Sequence, residues 1–280
     1  MLQKQNSKLF CFKEFANLDT SENADYLIKS MDLMSSLESI RAIKCHALDS
    51  MCLHPGDRVL EVGCGHGEDA EALGTIVGDT GSVLAIDASK RMIDEAKRRS
   101  TQPNVEYLQM NAYGLNYSDH IFSACHADRL LVSHEDYKGL FKEILRLIKP
   151  NGVVCFTDVD ALSIILTPFN FITKIILEQI HKSFVNPYMG RILPELFIEH
   201  GLREIKIISE TSMIRSFETL SEIFQFSQVA DSAIEEGKLT RDLSSQWFKE
   251  MYQAEKEEKF LYCVTFFTVL GKIPNSPCYP

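Results

Sequence analysis

One stretch constrains this chain more than any other: Val59-Leu60-Glu61-Val62-Gly63-Cys64-Gly65-His66-Gly67-Glu68-Asp69-Ala70. The apolar run Val59 to Val62 reads as a buried strand, and Glu68 onward reads as the first turn of a helix. The three glycines between them predict a tight turn. Glycine tolerates positive φ and lets a ligand approach the main chain, while N–H groups at the following helix N-terminus face that ligand. Glu61, at the strand end, argues against a phosphate and for a cationic or hydrogen-bond-donating ligand.

The rest of the chain supplies a frame for such a turn. Ala24 to Met51 carries apolar residues at helical spacing and predicts two helices with a joint at Ser35-Ser36. Strands are expected at Ser82 to Asp87, Asn104 to Met110, His120 to Cys125 and Val153 to Asp158. Helices are expected over Lys90 to Ser100, after a Ser89 cap, and over His134 to Ile148. Alternating strands and helices imply right-handed crossovers and a doubly wound parallel sheet. Ala161 to Ser183 reads as an apolar helical insertion, Arg191 to His200 as a short helix and Arg203 to Ser209 as a strand. Phe217 to Lys259 reads as helical with a break at Glu235-Glu236-Gly237, and Phe260 to Gly271 as a final strand.

Bulk properties narrow the class. At 280 residues, 45% hydrophobic and 24% charged, the chain has an ordinary globular composition and enough length to bury a sizeable core. A formal charge of −10 disfavours nonspecific nucleic-acid binding. Eight cysteines without a Cys-x-x-Cys pair point to a reducing, cytoplasmic setting. Met1 to Asp19 lacks the pattern of a secretory leader, and the most apolar stretch, Ala161 to Leu177, is interrupted by Pro168, Asn170 and Lys174. No integral membrane segment is therefore expected.

Which ligand the turn holds depends on the residues around it. Asp87 ends the second strand 20 residues beyond Gly67, where a carboxylate accepts both ribose hydroxyls of a nucleoside. That position fits a nicotinamide dinucleotide equally well. Three features tilt the choice: the Gly-x-Gly-x-Gly spacing, Glu61 just before it, and Asn111-Ala112, which can read an adenine edge.

Together with Leu84-Ala85-Ile86-Asp87-Ala88-Ser89 and Leu145-Arg146-Leu147-Ile148-Lys149-Pro150-Asn151-Gly152, these stretches resemble class I S-adenosylmethionine-dependent methyltransferases. The likeness is nearest to small-molecule members with a ubiquinone/menaquinone-type methyltransferase domain and covers about residues 55 to 158. Two positions depart from the family pattern: Asn151 replaces a glycine and Asn111 replaces an acid. A looser likeness extends over Gly190-Arg191-Ile192-Leu193-Pro194-Glu195-Leu196-Phe197. The resemblance implies a Rossmann-like α/β fold: a seven-stranded sheet with its last strand antiparallel, helices on both faces and a helical lid. It implies one domain over 1–280, with a cap at 1–52, a cofactor core at 53–160, lid insertions at 161–189 and 212–258, and a final strand at 259–272.

The same resemblance implies S-adenosyl-L-methionine as cofactor and S-adenosyl-L-homocysteine as product. Its expected binding residues are Glu61, Gly63, Cys64, Gly65, Asp87, Ala88, Met92, Asn111, Ala112 and Arg129. For Asp87 the competing role is a helix-cap carboxylate, for Asn111 turn chemistry, and for Arg129 a pair with Asp128 or Glu135. His134 and Asp158 are the candidate catalytic groups, each near the carboxyl end of a strand, with Asp160 beside them. His120, His126 and His134 have no metal-ligand spacing, so no metal is expected. Asn186-Pro187-Tyr188 reads as a loop, and the basic cluster at 90–99 as a solvated helix face. The expected reaction is in-line methyl transfer to a small, fairly apolar acceptor. The alternatives are a non-catalytic cofactor-binding regulatory module and an NAD-dependent oxidoreductase.

Overall fold

The computed structural model describes residues 12–275. Of the eight cysteines, Cys11 and Cys278 lie outside that range, as does most of the segment considered for a leader. A 3-10 segment, Phe12–Thr20, precedes helices α1 (Ala24–Ser36) and α2 (Glu38–Ser50), which meet at Leu37. The parallel half follows in the expected order: β1 (Arg58–Val62), α3 (Glu68–Val77), β2 (Ser82–Asp87), α4 (Lys90–Arg99), β3 (Val105–Gln109), β4 (Phe122–Asp128) and α5 (Tyr137–Leu147). The remainder comprises β5 (Ile148–Thr167), α6 (Phe171–Ser183), α7 (Met189–Glu199), β6 (Arg203–Ile214), α8 (Phe217–Phe224), α9 (Phe226–Glu235), α10 (Arg241–Lys256) and β7 (Leu261–Lys272).

These strands form one seven-stranded sheet in the order β3-β2-β1-β4-β5-β7-β6. Strands β1 to β5 run parallel, and β7 runs antiparallel to both β5 and β6. The last strand is thus the antiparallel one, as expected. The chain builds β1, β2 and β3 in one direction and then returns to lay β4 on the other side of β1. In open α/β sheets that reversal opens a crevice at the carboxyl ends of the strands, and ligands bind there.

Three elements differ from the sequence reading. Strand β5 continues to Thr167, whereas a helix was expected from Ala161; its register against β7 shifts between Asp160 and Ile165, then resumes at Ile165, Leu166 and Thr167. A short β-branched apolar run such as Ser163-Ile164-Ile165 fits a strand or a buried helix equally well by periodicity, and pairing with β7 decides it. Asn170 then caps α6, its side chain accepting from the Thr173 N–H. Strand β6 likewise runs five residues past Ser209. The long C-terminal helical stretch is divided twice, once at the expected break and once at Gln225, whose backbone is left-handed (φ 45°).

Helices α6, α8, α9 and α10 enclose an aromatic cluster. Trp247 and Phe226 are fully buried against Phe217, with ring centroids 5.6 and 5.5 Å away, and Phe260 lies at 5.5 Å. The Trp247 indole N–H donates to Thr173 Oγ1 at 3.0 Å, which satisfies its one polar atom. On α4, Lys90 pairs with Asp94, Arg91 with Asp25, Arg98 with Glu95, and Arg99 with both Glu95 and Asp32. No helix among the described residues is long and apolar enough to cross a membrane.

Candidate active site

The turn after β1 is built as its glycines require. Gly63, Gly65 and Gly67 all have positive φ. A Cβ on Gly65 would stand 2.7 Å from Met31 Cε of α1, so a side chain there would push into the cap that closes over the turn. The N–H groups of Gly63 and Cys64 both donate to Ile86 O, at 2.8 and 3.0 Å, and pin the turn to the end of β2.

Asp87 sits beside this turn, half-buried. Its Oδ2 accepts from the Gly65 N–H at 3.0 Å and its Oδ1 from the Ser89 N–H at 2.8 Å. Burial raises its pKa, against those two donors. Ser89 caps α4 as expected, and Asp19 reinforces that end by accepting from Ser89 Oγ and from the Lys90 and Arg91 N–H groups.

A cavity of about 420 Å³ opens at the carboxyl ends of the strands, within the range of small-molecule sites. Of the ten expected binding residues, Gly63, Gly65, Asp87, Ala88, Met92, Asn111, Ala112 and Arg129 line it. Asn111 also makes the turn that its type suggests, with Oδ1 accepting from the Tyr113 N–H at 2.9 Å. Arg129 pairs with its neighbour as one reading had it: Nε and Nη2 lie 3.0 and 2.6 Å from Asp128 Oδ2. Both members of that pair line the cavity.

The other two expected binding residues, Glu61 and Cys64, do not line the cavity. Side chains alternate along a strand. With Val62 on the cavity wall, Glu61 points to the other face, where it is 1% exposed and lies 2.8 Å from His126 Nδ1 on β4. The two residues are register partners between β1 and β4. Burial pushes the Glu61 carboxyl up to about 7, and Glu61 in turn lifts His126 to about 9 against its own burial. Cys64 is buried under the turn, where its thiol donates to Gly65 O at 3.7 Å; burial raises its pKa far above the ordinary thiol value.

Glu61, Asp69 and His126 bring ligand atoms within 4.8 Å of one another, a grouping that can hold a metal ion. Here Lys44 supplies the positive charge, with Nζ 2.8 Å from Asp69 Oδ2, 2.9 Å from Glu68 and 3.8 Å from Asp128.

The two catalytic candidates part company. His134 lines the cavity. It stands before α5, which begins at Tyr137 under an Asp136 cap, and follows a 3-10 turn over Leu131–Ser133. Its Nδ1 is 2.8 Å from Leu130 O. A carbonyl only accepts, so Nδ1 carries the proton and Nε2 keeps its lone pair. Burial holds the His134 pKa below the ordinary histidine value, which keeps the ring neutral at pH 7.

Asp158 is fully buried and off the cavity wall. Its Oδ2 accepts from the Leu131 and Val132 N–H groups, at 3.0 and 3.2 Å, and burial pushes its pKa up to about 8. It therefore supports the turn that carries His134 and does not reach the cavity. Asp160 is also off the wall, held by Arg191 at 2.6 and 2.8 Å. Gly190 makes this approach of α7 to β5 possible, since a Cβ there would lie 2.9 Å from Asp158 O.

Sequence reading named no residue of the far half of the cavity, although Phe184, Ile214 and Phe224 lie within the lid segments it expected. Phe184, Ile214, Phe224, Tyr262, Val264 and Phe266 line it, and the period-two series 262, 264, 266 in β7 was the available signal. On the near side, α1 contributes Met31 and Met34. Tyr26 and Ser30 of α1 both hydrogen-bond to carbonyls at the end of α8, so the N-terminal helix and the C-terminal helices meet over the cavity.

Residues 59–152 match the profile of a family described as a methyltransferase domain. A demethylmenaquinone methyltransferase from Shouchella clausii is 27% identical over 207 residues, 66% of this chain and 88% of the relative. Among solved structures, the YcgJ protein of Bacillus subtilis superposes with a TM-score of 0.60 at 16% identity, covering 84% of this chain and all of the other. Phosphoethanolamine N-methyltransferase 2 of Haemonchus contortus, in complex with S-adenosyl-L-methionine, gives a TM-score of 0.59 at 18% identity and covers 93% of this chain and 60% of the other. Both structural likenesses speak to the fold.

Proposed function

We propose that the chain is a class I S-adenosylmethionine-dependent methyltransferase and that it methylates an apolar, quinone-type aromatic acceptor in its hydroxylated form. One observation carries this reading: the cavity is polar at one end and apolar and aromatic at the other. The sheet order sets the two ends apart. Asp87, Asn111 and Asp128–Arg129 come from the carboxyl ends of β2, β3 and β4, while Phe184, Phe224, Tyr262 and Phe266 come from the β5–β7 side and α8.

The polar end fits the cofactor. Asp87, already oriented by two N–H donors, accepts the ribose hydroxyls. Asn111 and Ala112 meet the adenine edge, and Ala88 and Met92 pack on its face. Gly63 and Gly65 let the methionine part lie against the main chain, with Asp128 and Arg129 offering opposite charges to its ammonium and carboxylate. Cys64 lies beneath the turn, where its thiol donates to Gly65 O, and Glu61 pairs with His126 behind it.

The cofactor supplies an activated methyl group, so the protein's work is to bind and align. Alignment of donor and acceptor contributes up to about 7–11 kcal/mol in ideal cases. His134 Nε2 takes the proton of the acceptor hydroxyl. The apolar wall excludes water from the acceptor ring. The relatives named as demethylmenaquinone methyltransferases support the acceptor class. A reducing, cytoplasmic setting belongs to the same reading, since the six described cysteines are free thiols.

The test is a pH profile. Wild-type kcat falls on the acid side as His134 protonates, with a midpoint below the ordinary histidine value because burial disfavours the imidazolium. His134→Gln lowers kcat by on the order of 10²-fold and removes that limb, as loss of a general base does. A variant that keeps the wild-type rate and limb contradicts the base role.

A further inference from the structure

The His134 turn is gripped from two sides. On one, Asp158 accepts the N–H groups of Leu131 and Val132. On the other, Asn186 takes the carbonyls: its Nδ2 donates to Leu131 O at 2.8 Å and to His134 O at 2.7 Å, and its backbone N–H donates to Val132 O at 3.0 Å. Asn186 is 8% exposed and does not line the cavity, so it touches neither reactant. The chemistry is specific to a primary amide. Two carbonyls need two N–H donors from one short side chain, and an aspartate or serine at this position cannot supply them.

The segment that bears Asn186 also reaches the acceptor. Phe184, two residues earlier, forms part of the apolar wall, and Asn186 O receives the Met189 N–H that starts α7. One short segment therefore has one side chain against the acceptor space and the next but one clamped on the turn of the base.

We propose that Asn186 is a positioning residue that holds the His134 imidazole in its Nδ1–H tautomer, aimed at the acceptor, and that ties this geometry to acceptor packing at Phe184. The inference rests on the reading of His134 as the base. Asn186 acts by fixing Leu131 O and His134 O, which in turn fixes the Leu130 carbonyl that orients the ring.

The experiment is a double-mutant cycle with a spectroscopic readout. Asn186→Ala and Asn186→Asp are each measured alone and in the His134→Gln background, with S-adenosylhomocysteine affinity and thermal melting as controls on folding. With His134 present, kcat drops by on the order of 10²-fold, the cost of a misplaced reacting group, while cofactor affinity is unchanged. In the His134→Gln background the same substitutions have no further effect on kcat. Imidazole ¹H–¹⁵N correlations report the Nδ1–H tautomer in the wild type and a tautomer mixture in either Asn186 variant. Equal losses in both backgrounds, or an unchanged tautomer, overturn the proposal. Should His134→Gln alone retain full activity, the base reading has failed first, and that single variant identifies it. If Asn186→Ala does not fold, the near-isosteric Asn186→Asp carries the comparison.

Discussion

Replacing Asp87 with alanine weakens S-adenosylmethionine binding by on the order of 10²–10⁴-fold, with the fold intact. The carboxylate is held at the cavity edge by the Gly65 and Ser89 N–H groups, so it is oriented before any ligand arrives. Hydrogen bonds to a charged acceptor contribute about 1.5–3 kcal/mol each, and two ribose hydroxyls engage the same group. Their loss together corresponds to that range of dissociation constants, since about 1.4 kcal/mol is tenfold. Asp87→Asn falls between, because an amide keeps the shape and one accepting oxygen. Isothermal titration with S-adenosylmethionine measures both variants. An alanine variant that binds within threefold of the wild type contradicts the assignment of this carboxylate.

The second large effect is on stability. His126→Ala leaves Glu61 buried without its nearest partner, and breaking a buried pair in this way costs about 3–5 kcal/mol. The pH dependence has a definite sign. His126 is raised in the folded state to about 9, so its contribution is complete below the unfolded value near 6.5 and is lost as pH rises through 9. Glu61, raised to about 7, works in the same direction: the folded state keeps a proton that the unfolded chain releases above about 4.5. Urea unfolding of the wild type therefore shows lower stability at pH 9.5 than at pH 6, as the folded pair gives up the protons it holds at the lower pH. A wild type equally stable at the two values contradicts the pair's role.

Much of this fold could be read from residues alone because the signals were local. Val59 to Ala70 carries its strand, turn and helix in twelve consecutive residues, and Asp87 follows at the end of the next strand. Each of those elements depends on its own neighbours, and the parallel half follows from their alternation. Glu61 shows where local reading stops. Its place in the chain was legible, but its partner was not, because pleat alternation turns the side chain toward His126 on the neighbouring strand. The same rule, applied to Val62 as a wall residue, would have assigned the correct face.

Non-local decisions were harder to read. Strand β5 outran its expected end because β7 was there to pair with Ile165 to Thr167. The apolar half of the cavity gathers Phe184, Phe224 and Tyr262 from segments with no shared local motif. Asn186 looked like a loop residue, and it is one; its significance lies in which carbonyls it reaches across the fold.

The central claim is that one cavity holds S-adenosylmethionine at its polar end and an apolar aromatic acceptor at the other. Its most direct test is methyl transfer from label-bearing S-adenosylmethionine to a prenylated dihydroxynaphthalene, run beside a small polar amine of similar reactivity. Label incorporated into the naphthalene and little into the amine is the predicted result. No transfer to the naphthalene, by protein that still binds the cofactor at full affinity, contradicts the claim.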